Sequence, residues 1–266
     1  MSKICIIGAG AMGYAFAQGV VSAKLYQPSD VLITDLEQKK LNDASAKIGI
    51  NTSTNNIEAI KDADVILLAL KPNILNHVLA DIGDRIQKNQ ILISIAAGVK
   101  VSSIGKWVPD EIGIIRAMPN TSIQIKAGAI GFCRGKSVTD AQVEQASKIF
   151  EAVGICYEVE EKLMDAITGL SGSGPAYAYM MIEALSDGGL TVGLPRGVAL
   201  RLAAQTVMGA AQMVLELGEH PAHLKDLVAS PGGTTIAGIE ALEKAGFRSA
   251  LIEAVKAASA RASELG

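Results

Sequence analysis

The chain has 266 residues, which is long enough for a larger domain followed by a smaller one. Hydrophobic residues make up 49% of it but aromatic residues only 4%, so we expect an aliphatic core with closely packed helices. The formal net charge of −3 argues against a nucleic-acid partner, because such a surface neutralises few phosphates.

The spacing of the cysteines and the composition of the apolar segments indicate in which cellular compartment the protein works. Cys5, Cys133 and Cys156 are odd in number and far apart, so no disulfide framework is expected. A strand-like run from Lys3 leaves no room for a signal peptide. The apolar window 166–185 contains several glycines and a proline, which is poor material for a membrane span. We therefore expect a cytoplasmic protein that does not cross a membrane.

Up to residue 160, short strand-like runs alternate with helical patterns. The runs lie at 4–7, 31–34, 65–70, 91–95 and 114–116, with outer strands expected at 127–133 and 155–159. Such alternation predicts a mostly parallel sheet covered by helices. Run 65–70 is continuously apolar, as in a strand buried on both faces. Residues 1–160 are therefore predicted to form a doubly wound α/β domain.

After residue 160 the strand patterns stop, and Ala-rich helical patterns continue to the end. Pro195 is expected at the start of one long helix, Gly218 at its end, and Pro221 at the start of a shorter helix. Residues 161–266 are therefore predicted to form an all-helical domain. Because such a domain alone would expose an apolar face, we expect it to dimerise.

A glycine-rich segment directly follows the first strand and precedes a helical pattern. It reads Gly8-Ala9-Gly10-Ala11-Met12-Gly13. In that position the glycines permit a tight turn and close approach of a pyrophosphate, and the helix N-terminus supplies oriented amides. This context predicts a Rossmann-type dinucleotide site, although an ordinary glycine turn would have the same composition.

The end of the second strand carries Thr34 and Asp35. An acidic residue there commonly binds the adenosine ribose and favours NAD. Thr34 can instead donate to a 2′-phosphate, and Lys39 and Lys40 offset the acidic charge. Asp35 is equally able to cap the following helix. The choice between NADH and NADPH stays open.

Three further strand ends are expected at the same edge of the sheet and form a candidate nicotinamide wall. Their residues are Ala69 and Leu70 at the end of the third run with Lys71 and Pro72 after it, Ala97 and Gly98 after the fourth, and Met118, Pro119 and Asn120 after the fifth. Each segment is equally consistent with a plain strand-to-helix turn.

In the helical half, the segment from Ser230 to Thr235 has the composition of an anion site. Ser230 suits an N-cap and Pro231 the first helical position, so Gly232, Gly233 and Thr234 would occupy the first turn with Thr235. The amides of that turn lack helical partners, and glycine permits close approach. We predict a carboxylate site, with a well-capped helix that binds nothing as the alternative.

Two other clusters of residues give weaker indications of a functional site. His220 and His223 lie three apart, but Pro221 interrupts the helix and no cysteine or carboxylate set completes a zinc site, so no metal site is expected. The small residues from Ser171 to Gly174 are expected mainly to let two backbones pack closely.

These motifs together resemble the pyrroline-5-carboxylate reductase family. The resemblance runs over the whole chain and is densest in Leu170-Ser171-Gly172-Ser173-Gly174-Pro175-Ala176-Tyr177, in Gly193-Leu194-Pro195-Arg196, and in the segment 230–235 followed by Gly246-Phe247-Arg248. It implies an N-terminal Rossmann domain, a C-terminal helical dimerisation domain, and reduction of L-1-pyrroline-5-carboxylate to proline by NADPH or NADH. It also implies homodimers that assemble into decamers, with each site shared between subunits.

The same resemblance implies roles for single residues. Ser230, Gly233, Thr234 and Thr235 would hold the substrate carboxylate and ring nitrogen, Thr34 and Asn56 the adenosine phosphate, and Glu219 would contact substrate. Thr235 is our candidate proton donor to the ring nitrogen. The rival hypotheses are a reductase of another substrate, such as a six-membered cyclic imine, and a protein that binds NAD(P) without turnover.

Overall fold

A computed structural model of the chain describes residues 2–265. Its strands are β1 (Ile4–Ile7), β2 (Val31–Thr34), β3 (Asn51–Ser53), β4 (Val65–Leu68), β5 (Ile91–Ser94), β6 (Gly113–Met118), β7 (Gly128–Arg134) and β8 (Gly154–Glu158). Its helices are α1 (Ala11–Ser22), α2 (Gln38–Ile48), α3 (Asn56–Ala59), α4 (Pro72–Ile82), α5 (Val101–Ile104), α6 (Asp140–Glu151), α7 (Met164–Ile167), α8 (Gly174–Thr191), α9 (Arg196–Leu217), α10 (Pro221–Val228), α11 (Thr234–Lys244) and α12 (Phe247–Leu265).

The strands form one eight-stranded sheet in the order β3-β2-β1-β4-β5-β6-β7-β8. All neighbours are parallel except β6 and β7, which are antiparallel. The first six strands thus have the order 3-2-1-4-5-6 of a doubly wound dinucleotide-binding sheet. This confirms the predicted α/β fold, and β1 and β4 mark the point where the strand order reverses.

Apolar residues cover both faces of the sheet. Ile6 and Leu67 face a cluster that includes Phe16 of α1, whereas Ile7 and Leu68 face a second cluster that includes Leu75 of α4. Successive side chains of a strand point to opposite faces, so a strand covered on both sides must be apolar throughout. The continuous apolar runs in the sequence follow from this arrangement.

Strand β3 was not predicted, because its residues Asn51, Thr52 and Ser53 are polar and partly exposed. It lies at the edge of the sheet and pairs with β2 alone. Pairing to an existing strand supplies the backbone hydrogen bonds, so low strand propensity is tolerated there.

The described residues fall into two compact units. The first contains the residues up to Ser173 together with those from Lys256 onward, and the second is Gly174–Val255. Helices fill the second unit, as predicted for the C-terminal half. The proposed domain boundary at residue 160 lies just after the sheet ends and stays a prediction.

Small residues permit close helix packing in the second unit, as expected from the composition. A Cβ atom added at Gly189 of α8 would lie 3.0 Å from the Ala199 Cβ of α9. Ser186, Ala199 and Ala203 are buried between these helices. Helix α9 follows Pro195, which is its N-cap rather than its first residue, and ends at Gly218 in the left-handed conformation.

One helix in the described part of the chain, α9, is long and apolar enough by length and composition to cross a membrane. The window 166–185, which the sequence made a poor candidate for a membrane span, lies outside α9. Only 11% of the α9 window is buried. Length and composition alone do not distinguish a membrane span from a helix that packs against another protein surface.

Candidate cofactor and substrate sites

The glycine-rich segment lies between the carboxyl end of β1 and the start of α1. Gly8 has φ +107°, and an added Cβ atom would lie 2.4 Å from the Ala69 carbonyl oxygen. At Gly13 an added Cβ atom would lie 1.9 Å from the Gly8 carbonyl oxygen. Both positions therefore require glycine, the first for its backbone conformation and the second for the close approach of α1 to the loop.

Gly10 differs, because an added Cβ atom would meet no protein atom within 4 Å. It is the N-cap of α1, it has no capping side chain, and its extended backbone is open to any residue. The first amides of α1 lack helical partners and carry the positive end of the helix dipole. Gly10 thus keeps open the space in front of a helix start whose free amides suit an anion.

At the end of β2, polar side chains tie the strand to its neighbours. The Thr34 hydroxyl donates to Asn56 Oδ1 over 2.6 Å. The Asp35 carboxylate accepts from the Ala9 amide and from the Glu37 amide, each over 2.9 Å. Asp35 thus closes the turn before α2 and anchors the glycine loop, but the N-cap of α2 is Glu37 and has no side-chain capping bond, so the alternative that Asp35 caps this helix was wrong.

Lys40 lies beside this group. Its Nζ atom is 2.6 Å from a Glu37 carboxylate oxygen and 3.7 Å from Asp35 Oδ1. The hydrogen bond to Glu37, helped by the charge of Asp35, raises the pKa of Lys40. A cation is therefore held beside the acidic residue at the strand end.

A cleft of about 570 Å³ opens beside the carboxyl ends of β1, β2 and β4. It brings together eight of the predicted cofactor residues: Gly8, Gly10, Thr34, Asp35, Asn56, Ala69, Leu70 and Lys71. Its other lining residues are Ile7, Leu36, Glu37, Lys40, Ile74, His77, Val78 and Asp81. A smaller neighbouring cleft is lined by Ala9, Gly10 and Ala11.

Helix α4 forms the far wall of this cleft, which was not predicted from the sequence. Ile74, His77, Val78 and Asp81 lie on α4, at the i, i+3, i+4 and i+7 spacing of one helix face. Leu36, which is 90% exposed, lies opposite the same space on the β2 side. The Lys71-Pro72 turn marks the start of this helix, so the spacing of these residues could have identified them as one face that borders the cleft.

The remaining predicted cofactor residues lie outside that lining but at the same edge of the sheet, because β1, β4, β5 and β6 are parallel. Ala97 and Gly98 follow β5, and Gly98 has φ +77°. Met118 ends β6, and Pro119 and Asn120 are buried behind it. These strand ends thus lie at the predicted edge, and their role as a nicotinamide wall stays a prediction.

In the second unit the predicted anion segment has a different local structure from the one expected. Helix α11 begins at Thr234 with Gly233 as its N-cap, so the expected N-cap at Ser230 was wrong. Gly232 has φ +66° and the Gly233 amide donates to the Ser230 carbonyl oxygen, which makes a turn before the helix. The positive φ prevents the helix from starting at Pro231.

This correction leaves the anion-binding features in place. The N-cap Gly233 makes no side-chain capping bond, so the first amides of α11 are not capped by their own segment. Thr234 is exposed and Thr235 half-buried. Ser230 is exposed beside the turn, and Glu219 is exposed directly after Gly218. The helix start therefore offers unpaired donors to a small anion.

The histidines of the second unit have local roles. His220 is the N-cap of α10, and its Nδ1 atom accepts from the Ala222 amide over 3.2 Å. Within residues 2–265 no group of three or more His, Cys, Asp or Glu side chains is placed to hold a metal ion.

Two family models match the chain. The model described as pyrroline-5-carboxylate reductase dimerisation matches residues 161–265, and the model described as NADP oxidoreductase, coenzyme F420-dependent, matches residues 3–98.

Individual proteins match over the whole length. The pyrroline-5-carboxylate reductase of Methanosarcina acetivorans is 46% identical, over 99% of this chain and 98% of that protein. The structure of a pyrroline-5-carboxylate reductase from Coxiella burnetii has 37% identity and a TM-score of 0.95, covering 100% of this chain and 98% of that one. The Plasmodium falciparum pyrroline carboxylate reductase structure with NADP bound has 33% identity and a TM-score of 0.88, with the same coverage.

Proposed function

Since the chain belongs to the pyrroline-5-carboxylate reductase family, we propose that it reduces the C=N bond of L-1-pyrroline-5-carboxylate to give L-proline, with NADPH or NADH as the reductant. This is the last step of proline synthesis. The structural observation that supports it most directly is the cleft at the strand-order reversal, where a free helix start faces open space at Gly10.

The residues at this cleft fit a dinucleotide. The amides of Ala11, Met12 and Gly13 would bind the pyrophosphate, since a side chain at Gly10 would fill the space that it needs. Leu36 and Ile74, large apolar side chains that are 90% and 45% exposed, line the same cleft and suit a flat apolar ring.

At the β2 end, Asn56 would contact the adenosine phosphate of NADPH, with Lys40 supplying positive charge. Thr34 is buried and its hydroxyl already donates to Asn56 Oδ1, so it would position Asn56 rather than donate to the phosphate itself. Asp35 is the opposing feature, because a carboxylate repels a 2′-phosphate and suits the ribose hydroxyls of NADH. Its engagement by two backbone amides and its proximity to Lys40 reduce that repulsion, so both cofactors are proposed as reductants.

The substrate carboxylate is proposed to bind the amides at the start of α11. Ser230, Gly232, Gly233 and Thr234 would surround the carboxylate, and Glu219 would lie beside the ring. Thr235, half-buried in the first turn of α11, would place its hydroxyl at the ring nitrogen. Positioning by these donors supplies most of the acceleration that the chain itself provides.

The reduced nicotinamide, when bound, supplies hydride to the ring carbon of the C=N bond. The chain must then leave the nitrogen protonated. A cyclic imine can bind already protonated, in which case Thr235 orients the N–H; otherwise its hydroxyl relays a proton to the nitrogen. Neither path requires a strongly acidic side chain.

The direct test measures NADPH or NADH absorbance at saturating 1-pyrroline-5-carboxylate, with the six-membered cyclic imino acid as a comparison substrate. We expect cofactor oxidation that is fastest with the five-membered ring. Cofactor binding without oxidation would instead indicate a nucleotide-binding protein without turnover, and faster reaction of the six-membered ring would indicate a different imine reductase.

The helical region carries a dimerisation domain, and we propose homodimers that assemble further into decamers. In this structure α9 exposes the apolar side chains of Val198, Leu200, Leu202, Met208, Met213, Leu215 and Leu217. Burial of such a face against a second copy is favourable in proportion to the apolar area removed from water. Native mass spectrometry should give masses of two and ten chains, and a single-chain mass at micromolar concentration would contradict the proposal.

We further propose that residues 1–160 act as the cofactor domain and residues 161–266 as the substrate and dimerisation domain, and that the protein works in the cytoplasm. The free thiols of all three cysteines support a reducing compartment. Cell fractionation would test the location.

A further inference from the structure

The side chain of Asn120, which follows β6, is buried and hydrogen-bonded within the protein. Only 8% of the residue is exposed. Its Oδ1 atom accepts from the amides of Ser122 and Ala129 over 3.2 and 3.4 Å. Its Nδ2 atom donates to the Ser171 carbonyl oxygen over 3.0 Å. The side chain thus links the end of β6 to a segment fifty-one residues further along the chain.

That segment is a π-helix, Thr168–Gly172. The Ser173 amide bonds to the Thr168 carbonyl oxygen, five residues back. π-helical turns are rare and occur frequently at functional sites. Its Gly172 packs against the last residue of β6, since an added Cβ atom would lie 2.7 Å from Met118 Cε. One side-chain hydrogen bond and one glycine contact therefore hold the π-helix at the carboxyl end of β6.

The carboxyl end of β6 lies at the same edge of the sheet as the cofactor cleft, in the half beyond the strand-order reversal. In a doubly wound sheet, the dinucleotide crosses the strand-order reversal, with one nucleotide on each half. The cleft at β1, β2 and α4 would hold the adenosine half, which would leave the nicotinamide half over β5 and β6. The π-helix borders that half.

Resting on the proposed function, we infer that the π-helix Thr168–Gly172 forms a wall of the nicotinamide site and that Asn120 is the positioning residue that holds it there, rather than a direct ligand of the cofactor. Each polar atom of the Asn120 amide is bonded within the protein, which leaves the side chain poorly suited to bind the cofactor itself. The role of Asn120 is to fix the position of the π-helix relative to Met118.

The test uses Asn120→Asp. The aspartate keeps both acceptor bonds but replaces the Nδ2 donor by an oxygen that repels the Ser171 carbonyl oxygen. In single turnovers, the full chain is loaded with an equimolar amount of NADPH and mixed with saturating 1-pyrroline-5-carboxylate. The amplitude of the fast fluorescence loss then reports the fraction of competent enzyme, and its rate constant reports hydride transfer. We expect the rate constant to fall about tenfold to a hundredfold, because small displacements at the reacting atoms are costly. The KM for NADPH should change little.

Two other variants make the result decisive. Asn51→Asp is the matched control, since Asn51 Nδ2 also donates to a backbone carbonyl oxygen, that of Ser29, but at the edge strand β3. It should keep the wild-type rate constant. Gly172→Ala pushes the π-helix from Met118 without touching Asn120, and it should also slow hydride transfer; it decides the question if Asn120→Asp does not fold.

Three outcomes would overturn the inference: wild-type rate constants in both Asn120→Asp and Gly172→Ala, a loss of amplitude alone, or a raised KM for NADPH with unchanged turnover. An inactive wild-type protein would reject the proposed function instead, and so is distinguishable from failure of the inference.

Discussion

Replacing Gly10 or Gly13 by alanine should have opposite consequences, although the two glycines belong to the same loop. At Gly10 the new methyl group meets no protein atom within 4 Å, and the backbone conformation suits alanine. Loss of a favourable N-cap residue costs about 1 kcal/mol at most. For a chain of this size that lowers the Tm by roughly 2–4 °C.

The same methyl group stands where the pyrophosphate would approach the start of α1. Losing one or two hydrogen bonds to a charged group costs about 1.5–3 kcal/mol each, so we expect the Kd for NADPH to rise by at least about tenfold. At Gly13 the methyl group would lie 1.9 Å from the Gly8 carbonyl oxygen, and backbone must move. Overpacking of this kind costs about 3 kcal/mol or more, which lowers the Tm by about 6–12 °C.

Differential scanning fluorimetry and titration of NADPH fluorescence measure the two effects separately. A Gly10→Ala protein that keeps its Tm and also binds NADPH with wild-type affinity would refute the view that this loop holds the pyrophosphate. A Gly13→Ala protein with an unchanged Tm would refute the close approach of α1 to the loop.

Other expected outcomes concern the strand end, the proton donor and the thiols. Asp35→Ser should raise the ratio of kcat/KM with NADPH to that with NADH by about tenfold, because a negative charge near the 2′-phosphate is removed; steady-state kinetics with both cofactors would show it, and an unchanged ratio would count against this role. Thr235→Ala should lower kcat about tenfold to a hundredfold, and Thr235→Ser should restore most of it; full activity in the alanine variant would dismiss the proton role. Burial raises the pKa of Cys5 to about 12 and that of Cys133 to about 11, so iodoacetamide at pH 8 should label the half-buried Cys156 first in the native protein; peptide mass spectrometry that finds Cys5 labelled first would contradict this burial.

The sheet could be predicted where apolar patterning determines it. The run beginning at Val65 is apolar at every position because both faces of β4 are covered, and this pattern is visible in the sequence. The polar strand β3 exists only through its pairing with β2, and the apolar pattern of β6 and β7 does not encode the antiparallel direction in which they pair. Neither leaves a local pattern to detect.

The candidate sites were predictable to the same extent. The glycine loop and the residue pair at the end of β2 were identified because turn chemistry is local. The start of α11 was misplaced, because the sequence does not reveal that Gly232 adopts a positive φ. The α4 wall was missed because its residues, Ile74 and His77 among them, carry no motif of their own, and only the fold brings them to the cleft.

The end of the last helix, α12, belongs to the first compact unit although it lies at the other end of the sequence. Its Ser263 hydroxyl donates to Asp165, whose other carboxylate oxygen lies 3.3 Å from the buried guanidinium of Arg116 on β6. The unit is therefore encoded by two separated stretches of sequence. During synthesis, this group of contacts can be completed only after residues 256–265 have left the ribosome. A fragment that stops at residue 173 would leave Asp165 without its hydroxyl donor.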